Sequence, residues 1–108
     1  MLRRVDSPPL LGTAQVGVAV RFDVSLAADA GAYDLALPPE LSRAVPKRQA
    51  QFLAGRYCAR EALRALGTAD AAAPGIRPDR SPDWPAGVRG SITHTAGFAW
   101  AAVARSDT

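Results

Sequence analysis

Several residue types that carry chemistry are nearly missing from this chain of 108 residues, which has one cysteine (Cys58), one histidine (His94) and one lysine (Lys47). A lone cysteine forms no internal disulfide. One histidine and one cysteine also fall short of a zinc site, which takes about four such ligands. Neither a P-loop nor a G-x-G-x-x-G turn is present, so the common phosphate-cradling loops are excluded. No G-x-S-x-G elbow accompanies His94, which argues against a serine hydrolase. No apolar stretch approaches the ~20 residues of a transmembrane helix. The opening Met1-Leu2-Arg3-Arg4 runs into Asp6, Ser7, Pro8 and Pro9 rather than an apolar signal segment. These features predict a cytoplasmic protein with no membrane partner.

Large apolar side chains are also in short supply. Hydrophobic residues make up 48% of the chain, but alanine supplies much of that share and aromatics only 6%. The core must therefore lean on a few residues, among them Val16, Val18, Val20, Phe52, Leu53, Leu63, Ile92, Trp100 and Val103. The length suits one small domain. With so few large side chains, the domain is expected to be marginal alone or to need a partner surface.

Arginine is abundant by contrast. It accounts for all but Lys47 of the thirteen basic residues, and the net charge is +3. An Ala/Arg/Gly/Pro-rich chain is what a GC-rich genome writes. Arginine also presents a planar fork suited to phosphate oxygens.

Residues 1–14 carry Pro and Gly without periodicity and read as a loose N-terminal arm; 15–108 read as the folded unit. From Gln15 to Val24 the alternation of Val16, Val18, Val20, Phe22 and Val24 predicts a half-buried strand. Residues 25–46 are broken by Pro38, Pro39 and Pro46, with room for one helical turn at Glu40–Ala44. Lys47 to Leu66 contains no proline, and Gly67 can end it as a helix-terminating residue. On this helix Phe52, Gly55, Cys58, Ala59, Ala62, Leu63 and Leu66 share one arc. Residues 68–87 form a connector with a short strand possible at Ile76–Arg77. Val88–Thr93 and Phe98–Ala104 read as strands joined by a turn at Thr95-Ala96-Gly97. The order predicts an α+β fold, one long helix packed on a small antiparallel sheet.

Three segments could carry chemistry. Lys47, Arg48 and Arg56 on the long helix can converge on one anion, although a solvated basic face has the same spacing. Arg56, Arg60 and Arg64 repel at i, i+4, a cost of about 0.2–0.5 kcal/mol per pair that a polyanion would relieve. In Arg80-Ser81-Pro82-Asp83-Trp84-Pro85, two prolines fix the orientation of Trp84, which suits the edge of a core. Arg80 is open to either a surface or a ligand role. In Ser91-Ile92-Thr93-His94-Thr95, the single histidine stands among hydroxyls, each able to donate to a phosphate oxygen, as a protonated imidazole also could.

Together, a Lys-Arg-x-x-x-Phe-x-x-Gly-Arg-x-x-x-Arg helix (Lys47 to Arg60) and a Trp-Pro-x-Gly-x-x-Gly-Ser-[Ile/Leu]-[Ser/Thr]-His run (Trp84 to His94) resemble the Sfp/EntD-type 4'-phosphopantetheinyl transferases. The similarity runs from about Leu37 to Ala104 and corresponds to the N-terminal half of that family. It implies half of a two-subdomain, pseudo-dimeric fold with coenzyme A in the cleft between the halves. The implied reaction moves 4'-phosphopantetheine from coenzyme A to a serine of an acyl or peptidyl carrier protein, in siderophore, polyketide or nonribosomal peptide biosynthesis. By position, the resemblance makes Arg48, Arg56, Arg80 and His94 contacts to the coenzyme A phosphates and nucleotide. Thr93 and Ser91 would add hydroxyls, and Arg60 a further nucleotide contact.

The family also uses Mg2+, held by a Gly-x-Asp-x-Glu strand with a Trp-x-x-Lys-Glu-Ala helix. Neither motif occurs in the residues up to Thr108. The resemblance therefore places the family's Mg2+ ligands beyond Thr108. It implies no catalytic or metal-binding residue in this chain, an inactive chain in isolation, and a need for a C-terminal half or a second copy. Two alternatives are a non-catalytic coenzyme A or nucleotide-binding remnant and a basic polyanion-binding module. Nucleic acid is not an expected partner, because the aromatics do not interleave with the arginines.

Overall fold

The computed structural model describes residues 2–5, 15–68, 73–79 and 81–105. Its centre is the helix α2, Pro46–Leu66, laid across one face of a four-stranded antiparallel sheet. The strands are β1 (Leu2–Val5), β2 (Gln15–Phe22), β5 (Val88–Thr95) and β6 (Phe98–Arg105), in the order β1-β2-β6-β5. A two-stranded ribbon of β3 (Gly75–Ile76) and β4 (Pro82–Asp83) stands apart from the sheet. The α+β fold of one long helix on a small antiparallel sheet is therefore present.

The helix has clear local causes. Val45 is extended (φ −64, ψ 152) and Pro46 begins the first turn, where its missing N–H costs nothing. Gly67 adopts φ 102, its N–H donates to Arg64 O, and Thr68 N–H donates to Leu63 O. This pair of bonds closes the C-terminus, and the left-handed conformation favours glycine there.

Register fixes which side chains meet the helix. Val16, Val18 and Val20 pair with Val103, Ala101 and Ala99, which pair in turn with Gly90, Ile92 and His94. These residues share one sheet face, since side chains alternate along each strand. Leu53 and Leu63 close the core from the helix side with Cys58, and all three are buried. Each fully buried leucine contributes about 1.5–3 kcal/mol. Burial pushes the Cys58 thiol up to about 12, so it is a packing residue rather than a nucleophile.

Small residues set how closely the layers approach. A Cβ on Gly55 would lie 2.7 Å from Ile92 Cγ2, and one on Gly90 would lie 2.7 Å from the Trp84 ring. Trp84 thus lies against bare backbone at the sheet edge.

The expected loose arm is partly ordered. Leu2–Val5 adds an edge strand, pairing Leu2 with Phe22 and Val5 with Ala19. Four residues with two adjacent arginines show no period of their own, so pairing alone makes them a strand. Residues 6–14 lie outside the described residues. At the other end the expected folded unit runs to Thr108, and the described part of it runs to Arg105; Ser106, Asp107 and Thr108 lie outside the described residues. The segment read as irregular at 25–46 contains a short helix α1 (Leu26–Asp29) and 3-10 turns at Ala30–Tyr33 and Pro39–Leu41. Among the described residues no helix is long and apolar enough to cross a membrane.

Candidate anion-binding site

Arg48, Phe52 and Arg56 are four residues apart and form one column on α2. Beside this column runs β5, the sheet edge, whose helix-facing side carries Ile92 and His94. Gly55 permits the approach: its missing Cβ leaves room for Ile92, and His94 Cδ2 lies 4.0 Å from the same point. The ribbon supplies a third wall through Ile76, Arg77, Pro78 and Pro82. The 3-10 turn supplies a fourth, Glu40 and Leu41. Gln49 Nε2 holds that turn to α2 by donating to Leu41 O at 3.0 Å. These walls enclose an open cavity of about 670 Å³.

Positive charge dominates the lining. Arg48, Arg56, Arg77 and His94 are there with a single carboxylate, Glu40. Among the described residues, no carboxylate lies within ion-pair distance of these three arginines. Arg56 is 8% exposed and its guanidinium lies 4.5 Å from the centre of the Phe52 ring. Its Nη2 donates to Gly75 O at a long 3.4 Å, and its buried Nε has no acceptor among the described residues. An orphaned donor on a buried cation is costly unless something fills the gap. Burial, and then the charge of Arg48, hold the Arg56 guanidinium below its ordinary value. His94 is exposed at the mouth of the cavity, yet its partial burial lowers it, and the charges of Arg48 and Arg56 add to the effect. A bound anion would offset the charge repulsion among these groups, and its attraction would have to outweigh their burial.

The structure separates the predicted site residues. Arg48, Arg56 and His94 line one cavity. Arg60 does not. Its Nη1 donates to Tyr33 O at 2.7 Å and Asp34 O at 3.1 Å, and its Nε to Glu61 at 3.1 Å. These bonds tie the turn after α1 to α2. Ser91 and Thr93 pair with Ala102 and Trp100, so alternation along β5 sends their side chains to the sheet face away from α2. Arg80 lies outside the described residues.

Sequence reasoning missed Arg77 and Glu40. Arg77 reaches the cavity because the ribbon folds back, with Arg77 N–H bonded to Ser81 O at 2.8 Å. No periodicity marks a two-residue strand, although the Pro78-Asp79 turn is a legible signal for the reversal. Glu40 arrives through a 3-10 turn that two prolines obscure.

Magnesium does not fit the residues described. No group of three or more histidine, cysteine, aspartate or glutamate side chains comes together among them. Glu40, alone among arginines, is no metal cage. The expectation that the Mg2+ ligands lie beyond Thr108 concerns positions outside the described residues, which end at Arg105.

A family profile described as the 4'-phosphopantetheinyl transferase N-terminal domain matches residues 37–104. The chain is 44% identical over 70 residues to the 4'-phosphopantetheinyl transferase PptT of Mycobacterium tuberculosis, a match covering 64% of this chain and 30% of that protein. It is 51% identical over 69 residues to the 4'-phosphopantetheinyl transferase Svp of Streptomyces mobaraensis, covering 61% and 26%. It is 49% identical over 59 residues to enterobactin synthase component D of Salmonella typhi, covering 55% and 24%. The matches thus span under a third of each relative's length.

Proposed function

This chain belongs to the 4'-phosphopantetheinyl transferase N-terminal domain family, and on that premise we propose that its cavity grips the phosphates of coenzyme A. The complete activity is transfer of 4'-phosphopantetheine to a carrier-protein serine. In that reaction the serine oxygen bonds to phosphorus and 3',5'-ADP leaves. The relatives' names support this chemistry, and one relative's name ties it to enterobactin, a siderophore setting. A cytoplasmic location goes with the same reading.

The observation that carries the proposal is Arg56, a buried guanidinium with an unfilled Nε, lining one cavity with Arg48 and His94. Coenzyme A offers a pyrophosphate and a 3'-phosphate, enough anionic oxygens for several such donors. Arg77 joins this set by position. Arg80 stays in it through the motif that leads to Trp84. Arg60, Ser91 and Thr93 are left out, because their side chains are engaged elsewhere or face away.

On this reading the described residues bind and orient, and no carboxylate cluster comes together among them. In a complete enzyme Mg2+ would supply neutralisation of pyrophosphate charge, held by ligands other than the described residues. Two assays test this proposal. Titration calorimetry should detect coenzyme A binding to the chain, weakened in Arg56→Ala. An apo-carrier protein mixed with coenzyme A, Mg2+ and this chain should stay unmodified. Phosphopantetheinylation by the chain alone would overturn the division of labour, and absence of coenzyme A binding would overturn the site.

A further inference from the structure

We propose that anion binding in this cavity is coupled to the uptake of one proton by His94. The inference rests on the coenzyme A reading of the site and adds its dependence on pH.

The geometry gives His94 cationic neighbours and little compensation. From α2, Arg48 and Arg56 line the same cavity, and from the ribbon Arg77 does. From the 3-10 turn comes Glu40, the one carboxylate in the lining. From β6, His94 pairs with Ala99, which brings no charge. Gly55 presents bare backbone to the imidazole. Without ligand, a fourth positive charge would join three guanidiniums and one carboxylate. The charged form of His94 is therefore disfavoured in the free site, by the partial burial of this otherwise exposed side chain and then by Arg48 and Arg56. A bound phosphate reverses the balance. Its oxygens accept from both arginines and cancel their repulsion, and the imidazole becomes worth more as a charged donor than as a neutral ring. The proton comes from solvent and forms an N–H bond on the imidazole.

The sign follows from linkage. His94 is protonated in both states at low pH, where affinity is highest. As pH rises from the lowered value of the free site to the raised value of the complex, affinity falls by up to about tenfold per pH unit. Above that window His94 is neutral in both states and affinity levels off. The ligand's own phosphate monoester, with a second pKa of about 6, acts in the opposite direction, because binding its dianion releases protons in acid.

The test is calorimetry of coenzyme A binding to the full chain at pH 7 in two buffers of different ionisation enthalpy. The same titrations are run with His94→Gln. Net uptake approaching one proton per ligand in the wild type, and none in His94→Gln, is the expected result. NMR of the His94 ring with and without coenzyme A should show its titration moving to higher pH. Wild-type binding with equal heats in both buffers, or uptake that persists in His94→Gln, would overturn the coupling while leaving the site intact. No binding of coenzyme A to the wild type would overturn the site reading and the coupling with it.

Discussion

Arg56 and Arg60 lie one turn apart on the same helix, at 8% and 6% exposure, yet they meet opposite surroundings. Arg60 spends its donors on two backbone carbonyls and Glu61, and its guanidinium lies 5.3 Å from the centre of the Tyr57 ring. Arg56 has one long bond to Gly75 O and a buried nitrogen with no acceptor among the described residues. The first is a finished structural cation. The second keeps a donor that no described residue fills, and the coenzyme A reading assigns it to a ligand phosphate. Burial and residue type are the same in both, so what distinguishes a tie from a grip is the count of acceptors.

That contrast can be broken by substitution. The largest effect is expected at Arg60. Arg60→Ala removes two bonds from a charged donor to the carbonyls of Tyr33 and Asp34 and should cost about 2–4 kcal/mol of stability, since each such bond is worth about 1.5–3 kcal/mol. Urea denaturation measures it. A loss below about 0.5 kcal/mol, the scale of an ordinary surface substitution, would remove Arg60 from its structural role.

Arg56→Ala should invert the pattern. Coenzyme A affinity should fall about 10- to 100-fold, the equivalent of one charge-assisted bond at about 1.5–3 kcal/mol, with little change in stability. Stability loss comparable to that of Arg60→Ala, with affinity intact, would erase the distinction.

Gly55→Ala sharpens the role of helix–strand contact. Its Cβ would meet Ile92 Cγ2, and overpacking of this kind costs about 1–3 kcal/mol. Helix propensity returns up to about 1 kcal/mol of that. Adding Ile92→Ala removes the clashing methyl, so a double-mutant cycle should show favourable coupling. Additive effects would mean that the close approach is not what fixes β5.

The smallest effect belongs to Ser91→Ala. On the far side of the sheet, it should leave coenzyme A affinity within the ~0.5 kcal/mol typical of surface changes. A larger loss of binding would show that the far face also reaches the ligand.

Much of this fold was legible from the chain. Strict alternation from Gln15 marks β2, the uninterrupted run from Lys47 closed by Gly67 marks α2, and Gly97, at φ 95, marks the β5–β6 turn. What was hidden depends on partners distant in sequence. β1 exists because it pairs with β2, and Arg77 reaches the cavity because a two-strand ribbon reverses the chain. Within the site, Arg48, Arg56 and His94 were readable from their motifs and share the cavity. Arg60 looked equivalent to Arg56 because spacing carries no information about the carbonyls of Tyr33 and Asp34. Thr93 looked equivalent to His94 because adjacency in a strand means opposite faces, not shared ones.

The most direct measurement follows the arginine Nε–H resonances in 15N-edited spectra as coenzyme A is added. If Arg56 is the open grip and Arg60 the closed tie, the Arg56 signal moves with saturation and the Arg60 signal stays in place. A moving Arg60 signal beside a stationary Arg56 signal would contradict the assignment of the cavity as the phosphate site.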